Sequence, residues 1–308
     1  MSLSAAGKIP PPLVAGDRIR IVSPAGPISE NSLTNSIQFL ENAGYRVEVG
    51  LHAFDKEHFL AGSDESRLSD LVEALLDKSI RGVICSRGGY GSERLLGQIP
   101  WNSIGETPPK FLIGFSDIGA LQITLLMRTG WMSFSGLQAA NGFNSLTESN
   151  ARRQFLSVLS GNWHGRLGWD DNNPVDLEPI ITGPCRGLFI PICLSILCSL
   201  IGTPYLPNLR DSILCLEDVG EAPYRIDRLF WQLANSGVCE GLKGMVLGAF
   251  LMDQMNISES ASRSAMHHFG NYDIPIWKGI PYGHFDNRMT LPFGAPAQID
   301  ANGLVIFE

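Results

Sequence analysis

The chain has 308 residues, of which 44% are hydrophobic and only 18% charged, against a usual charged share of about 25%. Its 33 glycines and 19 prolines fall short of a low-complexity composition, so a disordered chain is excluded, and the length suits two domains. A net charge of −8 without any run of Lys or Arg argues against a nucleic-acid partner. Residues 1–17 lack a basic start followed by an apolar core, so they do not read as a secretory leader, and a cytoplasmic protein is expected.

Between residues 18 and 135, short apolar runs alternate with amphipathic stretches. IRIV (19–22), YRVEV (45–49), GVICS (82–86), FLIGF (111–115) and WMSFS (131–135) predict strands. Residues 29–44, 66–79 and 117–130 predict helices; the first places Leu33, Ile37 and Leu40 on one face and stops at Gly44. This alternation predicts an α/β fold with a parallel sheet covered by helices. Residues 150–184 start helix-like and continue into a stretch dense in Gly, Asn, Asp and Pro, which reads as a linker or domain edge. The expected division is 1–150, an intervening 151–184, and 185–308. Residues 187–209 carry no charge, yet Pro191, Gly202, Pro204 and Pro207 interrupt them, so a buried core helix is expected there and no membrane span. A strand at 212–218, a helix at 224–237, a strand at 243–250 and a terminal hairpin turning at Asn302 and Gly303 complete the pattern. The six cysteines, Cys85, Cys185, Cys193, Cys198, Cys215 and Cys239, form no CxxC pair and read as buried thiols.

Four places carry residues suited to chemistry. Ser116 follows the strand FLIGF and precedes a helix, where free N–H groups and the helix dipole favour developing negative charge. It resembles a nucleophile elbow but departs from GxSxG, having Gly114 and then Ile118; a plain helix cap is the competing reading. SRGGYGSERLL (86–96) also follows a strand, and its adjacent glycines let the Gly89 amide line an oxyanion hole, although a glycine turn explains them equally. In LCLEDVGEAPYRIDR, strand alternation puts Leu214 and Leu216 on one face and Cys215 and Glu217 on the other. Asp218, Glu221 and Asp227 compete with Glu217 as the functional acid, Asp227 and Arg228 reading better as an ion pair. Of six histidines only His284 lies in a glycine-flanked loop after a strand-like run, which makes it the candidate general base; His267 and His268 read as a helix end. Metal-ligand spacings are absent, so no metal is expected. The chain order Ser116, Glu217, His284 matches the nucleophile, acid, base order of some α/β serine hydrolases.

With these residues in view, the sequence resembles the LD-carboxypeptidase family, which includes muramoyltetrapeptide carboxypeptidase and the microcin immunity serine peptidases. The resemblance spans nearly the whole chain through IRIVSPAGPI, SRGGYGSERLL, FLIGFSDIGAL, the segment from GTPYLPNLRDS to RIDRLFWQL, VLGAF and IPYGHFDNRMTLPFG. It implies that Ser116 is the nucleophile, His284 the base and Glu217 the acid that orients it, with the Gly89 and Asp117 amides as oxyanion hole. It also implies an N-terminal flavodoxin-like or Rossmann-like parallel sheet carrying the nucleophile, a C-terminal α/β domain with a smaller β structure carrying acid and base, and a homodimer. The implied reaction releases D-alanine from meso-diaminopimelate in a muropeptide through an acyl-enzyme, without a cofactor.

Two segments depart from the family pattern. Ser135, Gly136 and Leu137 replace an HGP-like segment, and Pro191 and Ile192 stand where a Gly-Gly pair usually precedes the helix of Leu194 and Ser195. They leave the triad intact and bear on the substrate. Arg87, beside the glycine loop, is the candidate cation for the substrate's terminal carboxylate. The rival within the family is a microcin-immunity-like hydrolase of peptidyl or aminoacyl adenylates, with Trp163 and Trp169 available to stack on a base. The rival outside it is a non-catalytic muropeptide-binding protein.

Overall fold

The computed structural model describes residues 7–140, 143, 149–170, 172–253 and 255–308. Residues 1–6, part of the stretch read as lacking a leader, lie outside the described residues. The first sheet is built from β1 (Arg18–Val22), α1 (Thr34–Asn42), β2 (Arg46–Val49), α2 (Asp64–Leu76), β3 (Ile80–Cys85), α3 (Trp101–Gly105), β4 (Phe111–Gly114), α4 (Ile118–Thr129) and β5 (Ser133–Ser135). These strands are parallel and lie in the order β2-β1-β3-β4-β5. The order reverses between β1 and β3, which opens a crevice beyond their carboxyl ends, the usual ligand position in open α/β sheets. Gly26 and Pro27, Arg87 to Gly89, and Ser116 follow β1, β3 and β4 there. The expected parallel α/β sheet is thus present, with each predicted strand shifted by at most two residues at an end.

After α5 (Asn150–Leu159), the stretch read as a linker or edge folds into four short strands: β6 (Gly165–Arg166), β7 (Gly168–Asp170), β8 (Asn173–Pro174) and β9 (Glu178–Ile181). The second sheet continues with β10 (Cys185–Cys193), α6 (Leu194–Ser199), β11 (Ser212–Val219), α7 (Pro223–Asn235), β12 (Gly244–Met252), β13 (Met255–Asn256), α8 (Ser258–Phe269) and β14 (Ile276–Lys278). β15 (Leu291–Phe293), β16 (Ala295–Asp300) and β17 (Gly303–Ile306) end the chain, the last two as the expected hairpin. The order of the second sheet is β6-β17-β16-β10-β11-β12-β14-β9, with β13 on β12. β6 and β9 therefore close its two edges. The core helix expected within 187–209 is confined to α6, because the apolar run before it extends β10 between β11 and β16. A continuous apolar run fits a strand buried on both faces as well as a helix, and here pairing decides. Among the described residues no helix is long and apolar enough to cross a membrane.

Alternation divides the second sheet into two faces. Ile190, Leu214, Leu216 and Leu247 join one core with α4, α6 and α7, whereas Phe189, Ile213, Cys215 and Val246 join the other. The first of these cores is shared with the first sheet through Val83, Leu112 and the buried side of α4. The chain then crosses back: after β14 in the second sheet, β15 pairs antiparallel with β5 in the first. His284 lies on that crossing.

The crossing leaves no room beside Gly136, where a methyl group would overlap the Thr290 backbone next to β15. Gly136→Ala is expected to cost about 1–3 kcal/mol through overpacking and to lower the thermal midpoint by at least about 2 °C. An unchanged midpoint in a thermal unfolding scan would show that β15 can withdraw from β5 freely.

Candidate active site

Ser116 occupies the turn between β4 and α4 with φ of 62°, the left-handed region that a serine enters only at a cost of about 1–3 kcal/mol. Its side chain is half-buried and makes no hydrogen bond among the described residues, so the helix-cap reading does not hold. Gly88 lies directly against it. A Cβ on Gly88 would stand 2.9 Å from Ser116 Cβ and 3.0 Å from the Phe115 carbonyl oxygen, so only glycine lets the two turns approach this closely.

Asp117 ties these turns together. Its buried carboxylate accepts from the Ser92 amide at 2.9 Å, and its carbonyl accepts from Ser92 Oγ at 2.7 Å. Burial pushes the Asp117 carboxyl above the usual carboxylate range. Among the described residues neither the Asp117 amide nor the Gly89 amide donates a hydrogen bond, and Gly89 has φ of 107°. Both amides are free to meet a developing oxyanion. Arg87 is half-buried and donates through Nη1 to the Pro27 carbonyl at 3.2 Å. It lines two clefts at the switch point, one of about 650 Å³ shared with Gly26, Phe59, Gly89 and Tyr90, and one of about 400 Å³ reaching Lys56.

Of the competing carboxylates, one meets the His284 ring. Nδ1 of His284 donates to Oε2 of Glu217 at 2.7 Å, and Glu217 is fully buried. This leaves Nε2 of the ring as the free nitrogen. The competitors are engaged elsewhere: Asp218 accepts from the Ser195 amide at 2.7 Å, Glu221 pairs with Arg225, and Asp227 pairs with His268 at 3.1 Å. The expected Asp227–Arg228 pair does not form; Arg228 instead lies over the Tyr224 ring at 5.6 Å. Glu217 and His284 thus come together directly, and the His284 ring packs on that of Phe115, the residue before Ser116, with centroids 4.6 Å apart. Among the described residues no hydrogen bond joins Ser116 to His284, as in unliganded hydrolases whose catalytic bonds tighten on binding.

The two departures are absorbed by packing. Ser135 Oγ and Tyr282 Oη share a buried hydrogen bond of 2.7 Å, and Leu137 is buried. Pro191 and Ile192 lie within β10, where Ile192 packs on Gly119 in the first turn of α4 and Cys193 stands in register with Glu217. Trp163 is buried edge-on against Phe134, and with Trp169 it lines a separate cavity of about 540 Å³. All six cysteines are buried and unpaired. Arg288 escapes sequence reasoning: it is 6% exposed and its guanidinium lies 4.6 Å from the Phe115 ring centroid. The only trace in the sequence is a lone basic residue shortly after His284.

Comparison with known proteins bears on the family and the fold. The sequence model of the LD-carboxypeptidase N-terminal domain matches residues 19–136, and that of the LD-carboxypeptidase C-terminal domain matches residues 186–299. The murein tetrapeptide carboxypeptidase of Pseudomonas aeruginosa is 31% identical over 93% of this chain and 94% of its own length. An MccF-like protein from Bacillus anthracis superimposes with a TM-score of 0.85 at 27% identity, covering 97% of this chain and 98% of that one. Muramoyltetrapeptide carboxypeptidase from Oxalobacter formigenes gives 0.78 at 26% identity, covering 94% and 99%.

Beside Glu217, burial and the glutamate's charge push the Asp218 carboxyl up to about 6, against its ordinary 3.8. A raised folded-state value means that Asp218 favours folding below pH 4 and that this contribution is lost as pH rises through 6. Relative to Asp218→Asn, the parent is expected to lose about 2–3 kcal/mol of stability between pH 4 and 7. Urea unfolding across that range checks it; parallel curves for the two proteins would show that Asp218 does not titrate there.

Proposed function

Because the chain belongs to the LD-carboxypeptidase family of serine-type carboxypeptidases, we propose that it releases terminal D-alanine from muropeptides in the cytoplasm, acting as a homodimer. The bond cut is that between meso-diaminopimelate and D-alanine. The observation that carries this reading is the His284–Glu217 hydrogen bond of 2.7 Å beside a serine held in a left-handed turn at the head of a helix.

In this reading Glu217 holds the Nδ1–H of His284, fixing the tautomer in which Nε2 is the base. Nε2 takes the proton of Ser116 Oγ as the oxygen attacks the scissile carbonyl. The oxyanion that forms meets the amides of Gly89 and Asp117, each worth about 3–4 kcal/mol in the transition state. His284 then returns the proton to the departing amine of D-alanine, leaving an acyl-enzyme. Water, deprotonated by the same nitrogen, attacks the ester and frees Ser116. Arg87, on the same loop as Gly89, meets the terminal carboxylate that distinguishes a carboxypeptidase substrate.

A second reading, hydrolysis of peptidyl or aminoacyl adenylates, draws on the likeness to an MccF-like protein and on the cavity that Trp163 shares with Trp169. Faster hydrolysis of an aminoacyl sulfamoyl adenylate than of the muropeptide would favour it. A muropeptide-binding protein without catalysis would bind tightly yet leave Ser116 unlabelled by a fluorophosphonate.

Ser116→Ala and His284→Ala are each expected to lower D-alanine release from the tetrapeptide by at least about a thousandfold. Release within tenfold of the parent in either variant would overturn the mechanism. Chromatographic measurement of free D-alanine at matched protein concentration decides between these results.

A further inference from the structure

Arg288 is a buried cation for which packing alone gives no reason. Its guanidinium donates through Nη1 to the Phe285 carbonyl at 3.0 Å and through Nε to the Gly136 carbonyl at 3.3 Å, and among the described residues it forms no ion pair. A buried charge without an ionic partner is costly, and an apolar side chain of similar volume would fill the space more cheaply. Its neighbours suggest what the charge does. The guanidinium lies over the Phe115 ring at 4.6 Å, and the His284 ring rests against that same ring at 4.6 Å. Phe115 precedes Ser116. Gly136, which accepts from Arg288, donates its own amide to the Gly114 carbonyl at 2.9 Å. Arg288 therefore holds the nucleophile turn through Phe115 and Gly136 while holding the base loop through Phe285.

We propose that Arg288 is a positioning residue that locks the turn of Ser116 against the loop of His284 and supplies the positive charge that keeps His284 available as a base. The proposal rests on Ser116 and His284 being nucleophile and base. The electrostatic half follows from the surroundings of His284. The titratable groups on the elements around it are Glu217 and Asp218 of β11, Cys193 of β10, Asp117 at the head of α4, and Tyr282 and Asp286 of its own loop. All of these are neutral or negative. Glu217 touches the ring with its carboxylate, and Arg288 is the cation held on the Phe115 ring against which His284 packs. Because the stack on Phe115 needs a flat guanidinium and the two carbonyls need its fork, lysine retains the charge but not the geometry.

The test compares Arg288→Met, Arg288→Lys and Phe115→Leu by the rate of fluorophosphonate labelling of Ser116 against pH and by the NMR titration of the His284 ring. Arg288→Met is expected to label at least tenfold more slowly at neutral pH, with the acid limb of its profile moved up by roughly half a pH unit or more. Arg288→Lys should label slowly with the acid limb in place, and Phe115→Leu likewise. A folded Arg288→Met protein whose rate stays within twofold and whose limb does not move overturns the proposal, as does a lysine variant whose limb moves as far as that of methionine. If the methionine variant fails to fold, parent-like rates in both other variants overturn it equally. If the parent itself is not labelled, the nucleophile reading fails, and the NMR titration decides alone. A shift in Arg288→Lys no larger than a tenth of a unit beside a clear shift in Arg288→Met supports the electrostatic role; no shift in either overturns it.

Discussion

The hydrogen bond from His284 to Glu217 is the contact on which the rest of the molecule is organised. Glu217 is fully buried at the end of a central strand, and its other oxygen, Oε1, has no partner among the described residues. Removing one partner of a buried charged hydrogen bond costs about 3–5 kcal/mol. The loop that carries His284 is therefore drawn tightly onto the second sheet before the chain crosses to the first. Gly248 permits that approach, because any side chain there would run into the Tyr282 carbonyl. Tyr282 then reaches Ser135 across the sheets, and β15 docks on β5 a few residues later.

A serine in a left-handed turn persists only where its surroundings over-determine it. Three contacts do so here. Gly88 closes over the turn, Asp117 is bound to Ser92, and Ile192 of the second sheet packs on Gly119 in the first turn of α4. The strain at Ser116 is thus held partly by the half of the chain that carries Glu217 and His284. This gives Pro191 and Ile192 a structural meaning, since the branched side chain of Ile192 braces the helix behind Ser116.

The legible parts of the sequence are those in which local pattern and tertiary role agree. The strands and helices of the first sheet alternate cleanly because each parallel crossover requires its own amphipathic helix. β6 to β9 escape notice because two- to four-residue strands rich in Gly, Asn and Pro carry no period; only pairing defines them, β6 on β17, β9 on β14, and β7 with β8 as a separate two-stranded ribbon. β10 reads as part of a core helix for the opposite reason, since its continuous apolar run suits either geometry and only pairing with β11 and β16 makes it a strand. At the candidate site, alternation puts Glu217 on the face of Cys215 but leaves Asp218, Glu221 and Asp227 in competition with it, and only the family resemblance favours Glu217. That Ser116 and His284, 168 positions apart, belong to one site is suggested by residue type and family resemblance, not by local pattern. Arg288 was invisible because burial of an arginine is a property of packing, and nothing in HFDNRMTLPFG announces it.

The charge-poor composition acquires a local meaning around Glu217. Burial and the glutamate's charge raise the Cys193 and Cys215 thiols and the Tyr282 hydroxyl well above their ordinary ranges, so these neighbours stay protonated at neutral pH. Asp218, pushed up to about 6, is a carboxylate beside them that ionises by neutral pH. Negative charge is thereby concentrated on two adjacent residues of one strand, with few polar groups to disperse it. In so apolar an interior each remaining charge acts over a longer range than it would near water.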